Sequence, residues 1–319
     1  SSFTVKNCHF ENTQLAVEMF FFNSVLDVNL KDNVVLGGGL LTAQISNSQS
    51  GTDYAGEITI TGNRIQASPF NTINIGHYDR HDRNPKIIIS DNYIDGFKTD
   101  NSTPQPVHIR RNMPDAQEKT KIEGNTFIDV GVDVGCSAVV KFNKFIRSSG
   151  LSSNSSGIEV WGIQTWEIDP VLQDPVNVEY NTFWGATPRA IEFSILEEKL
   201  PLVVRNNSFL MNGIALQVNG DENMDPIDSS ILLPDVSNNF FKTIYVPCQS
   251  ALVSFTTPVV LRNSWFETPQ LDLFGFIVDD ATCISDDPLI DYSEFTHTYS
   301  LIWDETQKSP LINTGYPGE

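Results

Sequence analysis

The sequence predicts an all-β solenoid, a chain wound rung upon rung, on three observations. First, an Asn followed two residues later by a second marker residue, mostly a bulky hydrophobe, returns ten times: Asn7/His9, Asn33/Val35, Asn63/Ile65, Asn92/Ile94, Asn125/Phe127, Asn143/Phe145, Asn181/Phe183, Asn207/Phe209, Asn238/Phe240 and Asn263/Trp265. Ser293/Phe295 reads as a degenerate eleventh, and the ten steps from Asn7 to Ser293 average about 29 residues, inside the window of repeat architectures. Second, the run before each Asn alternates and is β-branched, as in Glu57-Ile58-Thr59-Ile60-Thr61 and Lys86-Ile87-Ile88-Ile89-Ser90, and such runs favour strands. Third, a second alternating run follows each Asn, as in Gly157-Ile158-Glu159-Val160-Trp161, with no helical periodicity between the two.

In such a coil each strand hydrogen-bonds to its counterpart one repeat away, so equivalent residues stack in columns about 4.8 Å apart. An inward Asn at the bend satisfies backbone groups that the turning chain leaves open. Extra residues leave a coil only at its turns, so Asn125 to Asn143, at 18 residues, is expected to be a bare rung, and Asn143 to Asn181, at 38, to throw out loops. The loop of residues 162–175 is expected to form one wall beside the column of acidic residues on the second run. About eleven rungs are expected in one domain over residues 1–319. Because the first repeat begins at once with Phe3 and Val5, the chain reads as part of a longer one without its N-terminal cap; residues 296–319 read as a closing segment.

Aligning the second run of each repeat puts Val17, Leu41, Ile73, Val107, Val132, Ile158, Ile191, Ile214, Ile244 and Phe274 inward. The next position must then face outward. That column reads Glu18, Thr42, Asn74, His108, Asp133, Glu159, Glu192, Ala215, Tyr245 and Gly275. Two residues further along lies a parallel column of Gly76, Arg110, Gly135, Trp161, Ser194 and Gln217.

The elements Gly124 to Phe127, Tyr180 to Phe183 and Asn206 to Phe209, repeated from about Ser2 to Phe295, resemble those of right-handed, single-stranded parallel β-helix proteins of the pectin-lyase-like kind. The ending from Ser309 to Gly318 looks like the terminal segment of secreted bacterial β-helix proteins. The resemblance implies an extracellular carbohydrate context, secreted or on the cell surface, and names no active residue in this chain.

The columns carry the chemistry. Carboxylates on successive rungs lie about 5 Å apart and on alternate rungs about 10 Å apart, which brackets the separations used by retaining and inverting glycosidases. Asp133, Glu159 and Glu192 are therefore candidates for acid, base or nucleophile, with His108 as a proton acceptor in a lyase variant. Trp161 beside Gly135 offers a sugar platform. Arg110, His77 and Arg80 would contact an acidic sugar, since three of the five His and four of the nine Arg gather on two neighbouring rungs. Against this stands the plain reading that these are solvated residues and that Arg80 and Arg83 offset Asp79 and Asp82.

Composition restricts partners. With 40 acidic against 20 basic residues the net charge is −20, which argues against general binding to nucleic acid or an anionic membrane. No apolar stretch is long enough to cross a bilayer as a helix, so no membrane insertion is expected. Cys8, Cys136, Cys248 and Cys283 show neither CxxC spacing nor a paired His, so no zinc site is expected. A bridge between Cys248 and Cys283 stays open, although their offsets from the repeat Asn differ. The acidic end, with Asp279-Asp280 and Asp286-Asp287, offers carboxylates to calcium but lacks the ordered spacing of a calcium loop, and no cofactor is expected. Two function classes remain. One is a polysaccharide-binding or polysaccharide-cleaving protein of hydrolase or lyase type, with an anionic glycan favoured. The other is a non-catalytic adhesin or structural rod that joins other segments or subunits of a surface assembly.

Overall fold

The computed structural model describes residues 2–22, 27–46, 56–67, 72–77, 86–96, 107–111, 120–135, 138–147, 158–161, 176–185, 189–195, 202–220, 234–251, 259–262, 264–266, 276–279, 282–283, 290–293 and 298–301. Among them the secondary structure is all β: the chain is a parallel β-helix with three strands in a typical rung. The first ladder has eleven parallel strands, from Ser2–Lys6 and Asp27–Lys31 through Ala138–Lys141 and Val176–Glu179 to Val259–Arg262 and Phe276–Val278. The second runs from His9–Glu11 through Tyr93–Gly96, Thr126–Ile128, Lys144–Ile146 and Thr182–Trp184. The third runs from Leu15–Phe22 and Gly39–Ser46 through Ile73–His77, Val107–Arg111, Val132–Gly135 and Ile158–Trp161 to Arg189–Ile195. Near the C-terminal end the long strands Ser208–Gly220 and Phe240–Ala251 carry the second ladder into the third without a break.

The bend between first and second strands explains the repeat. One residue there takes a left-handed conformation, and the next is a buried polar residue whose side chain reaches the neighbouring rung. The left-handed column is Asn7, Asp32, Gly62, Asp91, Gly124, Phe142, Tyr180, Asn206 and Asn238, with φ from 53° to 69°. Asn, Asp and Gly are the residues that tolerate this region. Inside it, the Asn181 Oδ1 accepts from the Asn143 backbone N–H at 2.9 Å, and its Nδ2 donates to the Val140 carbonyl at 2.8 Å. The same pattern repeats at Asn63, Asn92, Asn125, Asn143 and Asn207. All are at most 2% exposed, so each amide replaces water for backbone groups that would otherwise be buried unpaired.

Three marker pairs shift by one residue. Cys8, not Asn7, holds the ladder position in the first rung, where its N–H donates to Asn33 Oδ1 and Phe10 aligns with Val35. Asn239 and Phe241 replace Asn238 and Phe240, and Ser264 and Phe266 replace Asn263 and Trp265. The cause is that Asn suits both adjacent positions, and Asn7 and Asn238 take the left-handed one. The degenerate eleventh repeat is also displaced: Phe276–Val278 closes the first ladder against Val259–Arg262, whereas Ile290–Ser293 pairs antiparallel with Thr298–Leu301.

Inward residues form one continuous core along all three ladders. Phe127, Phe145, Phe183, Phe209, Phe241 and Phe266 stack ring upon ring with centroids 4.8–5.1 Å apart. The rung spacing of a parallel sheet, about 4.8 Å, is itself within the preferred aromatic separation. The expected bare rung is seen: Thr126–Ile128, Val132–Gly135, Ala138–Lys141 and Lys144–Ile146 follow one another with only residues 136–137 outside the described set. On the outward side of the second ladder Trp184, Leu210, Phe240 and Trp265 form a second buried apolar cluster.

Candidate functional site on the third ladder

The third ladder aligns the expected columns over seven rungs. Val17, Leu41, Ile73, Val107, Val132, Ile158 and Ile191 are in register, and those whose side chains are described are buried. Beside them run Glu18, Thr42, Asn74, His108, Asp133, Glu159 and Glu192. The next rung departs from expectation. Ile191 pairs with Leu216 and Glu192 with Gln217, so Ile214 is not the inward counterpart and Ala215 is not the outward one. Ile214 aligns with Arg189 and is only partly buried. One rung on, Cys248 and Gln249 replace Ile244 and Tyr245. A strand that enters this ladder directly from the second, with register shifts between Leu210 and Ile214, has no punctuating turn from which to count.

Asp133 is the most unusual member. It stands in the outward register but is only 2% exposed. Its Oδ2 meets Nδ1 of His108 on the preceding rung, and the imidazole is about one-fifth exposed. The expectation that Asp133 lies open to solvent is thus corrected: the short carboxylate is buried and paired with the His108 imidazole of the preceding rung. With Nδ1–H donating to Asp133, a neutral His108 carries its lone pair on Nε2. This is the arrangement by which a buried Asp orients a His in acid/base chemistry.

Glu192 is half-buried and pairs with Arg189 on its own strand. Arg189 offsets the like-charge contact expected from Asp133, Glu159 and Glu192 on successive rungs. Of the remaining candidates, Glu159, Trp161, Arg110 and His77 are placed by backbone register only. Arg110 aligns with Gly76 and Gly135, Arg111 with His77, and Trp161 with Ser194. The second column continues as Asn219, not Gln217. Arg80 and the loop of residues 162–175 lie outside the described residues, as do Phe274 and the acidic doublet Asp286-Asp287.

Elsewhere, titratable groups are structural. Desolvation raises the Asp95 carboxyl, with Asp129 adding to the rise and Arg64 opposing it. Burial lowers the Arg147 guanidinium, which Asp129 partly offsets. Neither group was singled out by the sequence: Asp95 falls on the outward side of its strand by parity, and Arg147 lies just past the strand Lys144–Ile146, where parity no longer applies. Cys8, Cys248 and Cys283 are free thiols, and Cys248 lies in the inward column beside Leu216, where burial pushes its thiol far up. Among the described residues no group of three or more His, Cys, Asp or Glu is arranged to hold a metal ion. No helix of these residues is long and apolar enough to cross a membrane.

Comparison with protein-family models, with curated proteins and with solved structures finds no match to this chain.

Proposed function

We propose that this chain is an extracellular polysaccharide-binding and polysaccharide-cleaving β-helix of the pectin-lyase-like kind, secreted or surface-displayed by a bacterium, and that it works along the third ladder on an anionic glycan. The observation that carries the reading is the His108–Asp133 pair beside the Glu159 and Glu192 rungs. A buried Asp bonded to an accessible imidazole does not serve as a glycosidase acid, so this pair favours elimination over hydrolysis. His108 Nε2 takes the proton beside the uronate carboxyl, the released electron pair forms a carbon–carbon double bond, and the bond to the leaving glycosidic oxygen breaks. Glu159, in register one rung beyond Asp133, supplies the proton that the leaving oxygen takes up. Arg110 on the strand of His108, with His77 and Arg80 on the neighbouring rung and loop, neutralises the uronate, and Trp161 is the sugar platform.

The test is a panel of acidic and neutral polysaccharides read by reducing ends and by absorbance of unsaturated products. Ultraviolet-absorbing products from an acidic glycan, lost in His108→Ala, are expected. Reducing ends without absorbance would assign hydrolysis instead. If no glycan is bound or cleaved, the unbroken Asn and Phe ladders favour the other reading, a structural rod or adhesin.

A further inference from the structure

The outward column of the third ladder changes character at His108. Toward the N-terminus it continues as Asn74 and Thr42 on successive rungs, and their strands, Ile73–His77 and Gly39–Ser46, hold no carboxylate. Toward the C-terminus Asp133, Glu159 and Glu192 follow rung by rung. The single cation on those strands is Arg189, which pairs with Glu192. Past Glu192 the column is uncharged again at Gln217 and Gln249. His108, with Arg110 and Arg111 on its own strand, therefore stands at the boundary between a neutral polar stretch and an acidic stretch of three rungs.

The two ends of the proposed reaction fix how a glycan lies on this column. His108 takes the proton and Glu159, two rungs on, supplies one to the leaving oxygen, so the glycan crosses the strands and follows the column. The uronate under attack then lies at His108 and Arg110, the departing sugar over the acidic stretch, and the sugar on the uronate's other side over Asn74 and Thr42. Rungs are about 4.8 Å apart, so a carboxylate on the departing sugar would come within about 5 Å of one on the protein. At that separation like charges oppose binding even near a surface. A neutral sugar meets the same stretch favourably, because carboxylates only accept hydrogen bonds and sugar hydroxyls donate them.

We propose that the third ladder selects a heteropolysaccharide in which each uronate follows a neutral sugar, that neutral sugar being the departing one, and discriminates against homopolyuronates. This specificity rests on the elimination reading of the same face and adds to it the class of acidic glycan. The carboxylate column is the repulsive element set against the wrong polymer, while Arg110 answers the one charge that the reaction needs.

The experiment compares kcat/KM of the whole chain on two matched pairs, polyglucuronate against deacylated gellan and polygalacturonate against a rhamnogalacturonan, each read by absorbance of unsaturated products. Within a pair the attacked uronate is the same, and only one polymer spaces it with neutral sugars. In a pair that is cleaved, the spaced polymer should react about tenfold faster or more at low salt. Raising the salt should narrow that gap, since screening relieves repulsion of the homopolymer. Glu192→Gln, which removes one carboxylate of the stretch, should narrow it about several-fold. The salt series needs no variant, so it decides the matter even where Glu192→Gln does not fold. A homopolymer cleaved as fast as its spaced partner, or a gap that salt leaves unchanged, overturns the proposal and leaves the elimination reading in place. Absence of unsaturated products from every polymer overturns that reading and the proposal with it.

Discussion

The first and third ladders share one backbone and one apolar core, yet their outward faces differ in how charge is arranged. On the first ladder, Glu123, Lys141, Glu179 and Arg205 alternate in sign on successive rungs. Lys141 pairs with Glu179, Arg205 with Asp235 and Lys86 with Glu57. From Glu123 to Arg205 each charge in that column has an opposite neighbour, as favourable cross-strand pairs require, whereas at the N-terminal end Lys6 and Lys31 are in register with like sign. On the third ladder Asp133, Glu159 and Glu192 follow one another with the same sign, and relief comes from His108 on one side and Arg189 on the other. Three carboxylates in succession cost stability that an alternating column does not, and that contrast is what supports placing the proposed function on the third ladder.

The largest expected effect separates these roles within one residue. Asp133→Asn should cut turnover on an acidic glycan by about 10²–10⁴, the range of a lost acid/base contribution, while thermal unfolding changes little, because the amide keeps the size of the carboxylate and its oxygen can still accept from His108 Nδ1. Severe unfolding would put Asp133 with the framework and erase the contrast between faces. Asn181→Ala is the framework counterpart. It strips partners from the Asn143 N–H and the Val140 and Glu179 carbonyls, so denaturant unfolding should show a loss of about 2–4 kcal/mol.

Smaller effects sharpen the comparison. The Lys86 hydrogen bond, followed by that from Thr59, holds the Glu57 carboxyl below its ordinary value of 4.5. Its contribution is present above that value and is lost as pH falls through the lowered one. Glu57→Gln should therefore cost roughly 0.5 kcal/mol at neutral pH, the scale of an exposed pair, and nothing in strong acid. Asp95 has the opposite sign. Its raised carboxyl weakens the fold as pH rises through the window above 3.8, so Asp95→Asn should stabilise by roughly a few tenths of a kcal/mol at neutral pH and leave acid stability unchanged. Melting curves at several pH values check both.

Much of this was legible because a β-helix writes its geometry as a period. The Asn recurrence located the bend, and strand parity placed His108, Asp133, Glu159 and Glu192 on adjacent rungs before any coordinates. What stayed hidden has physical causes. Asn serves two adjacent positions at the bend, which moved three markers by one residue. The merged strand Ser208–Gly220 has no turn to fix its register, so Leu216 stood where Ile214 was expected. Parity separates inward from outward but does not measure burial, so the enclosure of Asp133 depends on the size and pairing of its neighbours. The exposed Phe142–Tyr180 pair follows from no periodic rule, since its position in the bend calls for Asn, Asp or Gly.

The most direct test sets the same substitution on both faces. Glu159→Gln lies in the like-charge column of the third ladder and Glu179→Gln in the alternating column of the first. Cleavage of the best acidic substrate from the panel, followed by absorbance of unsaturated products, should be abolished in Glu159→Gln and stay at the parent rate in Glu179→Gln. Equal rates in both variants, whether kept or lost, would contradict the division of labour between the two faces.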